Sequence, residues 1–318
     1  MPISTGRPFR FGVNALGSAS REEWRATARK AEDLGFSTLS VADHLWTGLA
    51  PLTSLMAAAE VTTTLRLGSL VFGNDFRHPV VLAREAATID LLSDGRLELG
   101  LGTGWEKDDY EQTGMTLDPP ATRVERLEEA VQIIKKLFGD EPVTFSGQYY
   151  TVTGLNSLPK PVQRPHPPIL IGGGGRRMLS LAVREAAIVS LNTRTTASGD
   201  VDMSSNTAAA TDRKVKVVQQ IAGDRFGDLE LNILVLAAII TDRPRERAER
   251  LAQEWGMDPA QISLDDLLES PHFLFGSEDQ IVETLLKRRD RYGISYVTLT
   301  GEESMDSFAP IVARLSGA

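Results

Sequence analysis

Short apolar runs alternate with amphipathic segments along nearly the whole chain, and this alternation limits the fold more than any other property of the sequence. Residues 9–14 read as a strand. Ser20-Arg21-Glu22-Glu23 then has the form of a capping box, in which the serine hydroxyl and the glutamate carboxylate satisfy amides that an opening helix leaves without partners. Trp24, Ala28, Ala31 and Leu34 follow at helical spacing, and Gly35 fits the position past a helix end where positive φ is needed. Residues 36–42 are a near-continuous run of small and apolar side chains, as suits a strand buried on both faces. The pattern goes on through helix 51–61, strand 65–72, helix 79–92 opened by proline, a turn at Asp94-Gly95, strand 97–102 and helix 122–138. Strand 169–171, helix 176–186 and strand 187–191 follow, and segments 212–222, 229–240, 243–255, 278–292 and 294–299 with a final helix continue it. About eight strands, nearly all separated by helices, predict a parallel sheet. In one chain of 318 residues such units close most naturally into a (β/α)8 TIM barrel, with a doubly wound open sheet as the alternative.

Three segments exceed a minimal barrel and read as insertions into a single domain covering residues 1–318. Residues 143–152 (VTFSGQYYTV) look like a hairpin turning at Ser146-Gly147. Residues 193–211 have almost no large apolar side chain to offset the entropy of ordering, which predicts mobility. Following a strand, that stretch would hang over the barrel mouth, as a lid or as a passive insertion. Residues 257–272 make a further excursion before the last βα unit.

Composition narrows the function. Lys and Arg number 34 against 43 Asp and Glu, a net charge of −9 that speaks against nucleic acid as a partner. The absence of cysteine removes disulfides, thiolate metal sites and cysteine nucleophiles. The histidines (His44, His78, His166 and His272) are far apart and lack metal-ligand spacing, so no metal is expected. The longest apolar run, 234–240 with its flanks, falls short of the roughly 20 residues a membrane span needs. The first residues lack a charged-then-apolar signal region, so no membrane partner and a cytoplasmic location are expected.

In a barrel the chemistry sits on loops at the C-terminal ends of the strands. Those positions hold Asn14, Asp43-His44, Gly73-Asn74, Gly102-Thr103-Gly104, Gly172 to Gly175, Asn192 and Thr300, small or polar residues directly after apolar runs. Taken singly, each also fits a turn or a helix cap. His44 is the histidine placed at a strand end and the candidate for acid–base work, with Asp43 beside it to hold the ring's tautomer or to bond a cofactor edge. The alternative has Asp43 capping the next helix and His44 merely packing. Gly172-Gly173-Gly174-Gly175-Arg176-Arg177 follows the strand PPILI and opens a helix. Glycines there let the backbone approach an anion, helix amides point at it, and an arginine adds charge-assisted bonds; a tight βα turn is the plainer account. Gly100-Leu101-Gly102-Thr103-Gly104 is GxGxG rather than GxGxxG. Neither glycine segment is followed by a ribose-binding acid at the next strand end, which disfavours a nicotinamide site.

These residues resemble the luciferase-like monooxygenase superfamily, and within it the F420-dependent oxidoreductases of actinobacterial type. The resemblance runs from about Phe9 to Tyr296 and rests on AEDLGFSTLSVADHL, LRLGSLVFGNDFRHPVVLAREAATIDLLSDGRLELGLGTGW, PKPVQRPHPPILIGGGG and FGSEDQIVETLLKRRDRYGISYV. It implies a bacterial-luciferase-like barrel with insertions and with coenzyme F420, or alternatively FMN, at the C-terminal mouth. It further implies a non-prolyl cis peptide bulge behind the ring near Leu70-Val71, and contact of Asp43 and His44 with the deazaflavin. Gly102, Thr103 and Gly104 would lie along the ring and ribityl chain, while Gly173, Gly174, Gly175 and Arg176 would hold the phosphate. The sequence departs from sugar-phosphate dehydrogenases of this group, which carry a glutamate directly after GTG where this chain has Trp105, then Glu106. They also carry a first-strand acidic residue, and here the strand ends at Asn14. Asn14, Trp46, Phe72 and Trp105 are instead candidates to bind a small-molecule substrate, the aromatics as an apolar wall or as core. Exposed barrel helices offer a surface for a homodimer.

Overall fold

The computed structural model describes residues 6–196 and 200–318; residues 197–199, inside the polar stretch 193–211, and residues 1–5 lie outside it. Eight parallel strands form the centre: β1 (Arg10–Ala15), β2 (Thr38–Val41), β3 (Arg66–Ser69), β4 (Leu97–Gly102), β5 (Ile169–Gly173), β6 (Ile188–Leu191), β7 (Glu230–Val235) and β8 (Ile294–Thr300). Each pairs with the next, and β8 returns to β1, with Arg10 opposite Tyr296 and Asn14 opposite Thr300, so the sheet closes into the predicted barrel. Around it pack α1 (Arg21–Asp33), α2 (Pro51–Ala59), α3 (Pro79–Leu92), α4 (Pro120–Phe138), α5 (Arg176–Glu185), α6 (Ala208–Ala222), α7 (Glu278–Tyr292) and α8 (Met305–Leu315). Among the described residues no helix is long and apolar enough to cross a membrane.

Local chemistry explains the element ends. The Ser20 hydroxyl accepts from the Glu23 amide at 3.2 Å, and Trp24, Ala28 and Ala31 form the buried stripe of α1. The reciprocal half of the predicted box is displaced by one residue, because the Glu23 carboxylate accepts from the Ala19 amide at 3.0 Å and from the Ser18 hydroxyl. A complete box opens α7 instead, between Ser277 and Gln280. All six residues of β4 (LELGLG) are buried, and two of its glycines answer to close neighbours. A Cβ on Gly100 would lie 1.8 Å from the Ser69 carbonyl oxygen, and one on Gly102 would lie 2.4 Å from Val71 Cγ2.

The N-terminal end of the barrel is filled with matched charge. The Arg10 guanidinium donates to Glu98 at 2.6 Å and to Glu230 at 2.7 Å, Arg66 joins Glu98 at 2.5 Å, and Arg10 lies over the Tyr296 ring at 3.6 Å. These residues come from the starts of several strands, so the pairing locks the closed register from below.

Several boundaries differ from the sequence-based expectation. The strand expected over 65–72 ends at Ser69. A cis peptide follows at Leu70-Val71, where the family resemblance puts one, and a short strand, Phe72–Gly73, then pairs with Leu101 and Gly102. The strand expected over 229–240 breaks at Leu236, whose amide donates to the His272 carbonyl. Beyond it Ala237–Ile240 pairs in parallel with Phe273–Gly276. That pair, with helices Pro244–Glu254 and Leu264–Glu269, encloses a satellite core of Ala248, Leu251, Ile262, Leu267 and Phe273, which accounts for the 257–272 excursion. The hairpin forms as Val143–Ser146 and Thr151–Leu155, its turn held by the Glu129 carboxylate accepting from the amides of Gln148, Tyr149 and Tyr150.

The described residues of 193–211 take regular structure that their composition does not announce. Arg194–Thr195 pairs with Val201–Asp202, a 3-10 turn spans Met203–Asn206, and α6 begins at Ala208, four residues before the predicted start. Polar bonds supply the order that apolar side chains do not. The Ser205 hydroxyl accepts from the Arg194 amide, Asp202 caps Ser204, Thr207 caps Ala210, and the Ser270 hydroxyl donates to the Asn206 carbonyl.

Candidate active site

The strand-end residues named from the sequence share the C-terminal face of the barrel. Asn14 is buried there, its Oδ1 accepting from the Ser40 hydroxyl at 3.1 Å. His44 lies just past β2. Its Nδ1 sits 2.8 Å from Asp109 Oδ2, and the other carboxylate oxygen accepts from the Leu45 amide at 2.6 Å. The Asp109 side chain is 3% exposed and that of His44 is 24% exposed. A buried carboxylate facing Nδ1 holds a proton on that nitrogen and leaves Nε2 as the nitrogen available for transfer.

Sequence reasoning gave Asp43 the tautomer-holding option, and the structure gives that task to Asp109. Asp43 points to the bulge instead, with Arg77 bridging both its oxygens and the Gly73 amide donating to Oδ2 at 3.0 Å. It clamps the chain directly after Leu70-Val71. Asp109 sits in a one-turn helix, Lys107–Glu111, 65 residues from His44, and no local spacing announces the contact. The other histidines are committed elsewhere. His78 caps α3, His166 contacts the Pro167 carbonyl, and His272 is wholly buried with its pKa pushed down to about 3, chiefly by desolvation and then by the charge of Lys214.

Gly102-Thr103-Gly104 continues from β4 and is braced from behind. Arg123 donates to the carbonyls of Gly104, Thr103 and Asp118, and the buried Tyr110 hydroxyl donates to Asp75 at 3.1 Å and to the Thr103 carbonyl at 3.3 Å. Gly104 has φ +72°, and a Cβ there would meet the Tyr110 hydroxyl at 2.1 Å, so the third glycine of the motif is sterically required. Val71 touches two glycine backbones at once, since a Cβ on Gly172 would lie 3.6 Å from Val71 Cγ1. The bulge thus sits between the ends of β4 and β5, with Leu70 and Val71 partly exposed against Leu170, Ile188 and Tyr296.

The glycine run ends β5 and opens α5, with Gly175 as its N-cap residue at φ −99°. A Cβ on Gly173 would strike Met178, and one on Gly174 would strike the Asn192 carbonyl oxygen at 2.5 Å and the Arg194 nitrogen at 2.6 Å. Gly175, by contrast, has nothing within 4 Å of an added Cβ. The open face of the helix start is therefore at Gly175, next to Arg176, whose exposed guanidinium has no partner among the described residues. Open backbone, helix amides and a free guanidinium suit a phosphoryl group. The cradle and His44 stand at the ends of β5 and β2, three strands apart around one rim.

Of the aromatic wall, Trp46 and Trp105 are 55% and 39% exposed, and both rings lie near the imidazole: Trp105 edge-on at 5.8 Å, Trp46 tilted at 6.3 Å. Phe72 does not join them. It is fully buried in the main core under the Arg77 guanidinium, because the short strand after the bulge turns it inward, and it is corrected to a packing residue.

Residues 1–294 match the sequence profile described as luciferase-like monooxygenase. An F420-dependent glucose-6-phosphate dehydrogenase from Microbacterium testaceum is 35% identical in an alignment of 188 residues that covers 56% of this chain and 55% of that protein, so the match spans little more than half of the relative's length. Among solved structures, the coenzyme F420-dependent tetrahydromethanopterin reductase of Methanopyrus kandleri superposes with a TM-score of 0.77 over 98% of this chain and all of its own, at 17% identity. A monooxygenase from Streptomyces bottropensis does so with a TM-score of 0.75 over 96% of this chain and 97% of its own, at 21% identity. At these identities the two structures speak to the fold, and the profile match over more than nine-tenths of the chain speaks to ancestry: this chain belongs to the luciferase-like monooxygenase family.

Proposed function

We propose that this protein is an F420-dependent oxidoreductase that transfers a hydride between C5 of the deazaflavin and a small organic substrate, in the direction that reduces an activated C=C, C=N or C=O bond. The observation that carries the reading is the Asp109–His44 pair, a proton-handling group set on the same rim as an anion cradle. When bound, the reduced deazaflavin supplies the hydride. The chain's own residues do the rest. The amides at Gly175 and the Arg176 guanidinium hold the phosphoryl end, and Gly102-Thr103-Gly104, stiffened by Arg123 and Tyr110, gives the cofactor a fixed bed. Leu70 and Val71, clamped through Asp43, back the ring. His44, with Nδ1–H held by Asp109, delivers or accepts the proton at Nε2, and Trp46 and Trp105 keep water from the reacting atoms.

The substrate in the name of the M. testaceum relative is not carried over, because Trp105 follows Gly104 and β1 ends without an acidic residue. The test is a titration with F420, FMN and NADP, followed by reduced cofactor with a panel of enones. Binding of F420 with enone-dependent return of its oxidised absorbance is expected. Tight FMN binding with oxygen consumption would instead make the protein a flavin monooxygenase, and binding without turnover on any acceptor would leave it a carrier.

A further inference from the structure

We infer that the mouth beside His44 takes an uncharged, planar, conjugated substrate, such as an aryl enone, laid against Trp46 and Trp105; this rests on the proposed oxidoreductase reading. Two large apolar side chains left in water, Trp46 (55% exposed) and Trp105 (39% exposed), flank the imidazole itself. Among the described residues, six of the twelve exposed large apolar side chains (Leu16, Leu45, Trp46, Trp105, Met115 and Val201) lie on connections that leave the C-terminal ends of barrel strands. Exposed indoles set together beside a candidate proton-transfer group mark a place where an apolar partner binds. The two indole centroids lie 6.3 and 5.8 Å from the imidazole centroid, so a flat ring stacked on either comes to rest next to His44.

Charge around the site argues against an ionic substrate. Arg77 is taken by Asp43, Lys107 by Asp200 at 3.0 Å, and Arg126 by Asp75 and Asp118. Arg123 is spent on backbone carbonyls, and Asp109 on His44 and the Leu45 amide. An anionic substrate would find Arg77, Lys107 and Arg126 paired with carboxylates and the Arg123 donors in use, and an organic cation would find Asp109 engaged.

The experiment uses the full chain with oxidised F420 and reads tryptophan fluorescence. Benzylideneacetone is the planar aryl probe, cyclohexenone the small uncharged one, fumarate the anionic one and phenyltrimethylammonium the cationic one. Benzylideneacetone is expected to bind about ten-fold more tightly than the others, the upper end of what one aromatic contact supplies. Trp105→Ala and Trp46→Ala should each weaken it about ten-fold, while the corresponding Phe variants keep most of the affinity. Fumarate or phenyltrimethylammonium binding as well as the aryl enone overturns the inference, and so does an unchanged affinity in a folded Ala variant. F420 fluorescence is followed in the same cuvette. If F420 fails to bind, the proposed function falls, and the aryl enone titration of the cofactor-free chain still decides the substrate class.

Discussion

Replacing Asp109 by asparagine changes one atom in the only way that tests the tautomer. The Leu45 amide still needs an acceptor, so the new carboxamide turns its oxygen there and its NH2 toward His44, whose Nδ1 must then accept. The neutral ring moves its proton to Nε2, and the imidazolium loses its buried counter-charge. A hydrogen bond to a charged group contributes about 1.5–3 kcal/mol. At about 1.4 kcal/mol per factor of ten, that is a preference of roughly ten- to a hundred-fold for Nδ1–H in the native protein. Long-range 1H–15N correlation on 15N-histidine-labelled protein reads the tautomer directly, without a substrate. The native ring should show protonated Nδ1 and Asp109→Asn protonated Nε2. Enone reduction should fall at least about ten-fold in kcat/KM while the F420 affinity stays unchanged. The same tautomer in both proteins, or full turnover in the variant, refutes the assignment of Asp109.

The glycine cradle gives a paired prediction. Gly174→Ala must displace backbone at Asn192 and Arg194 and should destabilise the fold by about 1–3 kcal/mol, whereas Gly175→Ala, in open space at negative φ, should leave the melting temperature nearly unchanged and weaken F420 binding. Arg176→Gln should likewise spare stability and reduce F420 affinity about five- to thirty-fold, with a shallower salt dependence in the titration. Burial pushes the Glu32 carboxyl up, but hydrogen bonds from the amides of Thr64, Leu65 and Thr63 outweigh this and hold its pKa at about 2. Its contribution is therefore present above the unfolded value near 4.5 and lost as pH falls toward 2; urea melts of Glu32→Gln should show lower stability at pH 7 and a flatter profile between pH 5 and 2.

Much of the architecture was legible because the barrel repeats one pattern. Helices 79–92 and 278–292 and strand 97–102 fall at the expected residues, since proline, the Ser277 cap and the Gly293 end are local signals. What failed depended on distant partners. Leu236 looks like mid-strand in sequence and leaves the barrel because His272 offers it a carbonyl. Phe72 looks like a mouth residue until the bulge turns it inward. Segment 193–211 lacks large apolar groups, and its described part is ordered by side-chain oxygens that hydropathy does not register. At the site, His44 and the glycines stood out at strand ends, but Asp109, Arg77 and Arg123 act across 65, 34 and about 20 residues and had no signature of their own.

The seat at Gly174 shares a border with Asn192 and Arg194 that has no slack, and Arg194 in turn is tied to Ser205 and Asp202. Whatever widens or narrows the excursion after β6 therefore reshapes the ground offered to the proposed phosphoryl group. A chimaera that swaps this excursion should keep the stretch from Asn192 to Arg194 intact, or it will disturb the proposed phosphoryl seat along with the mouth.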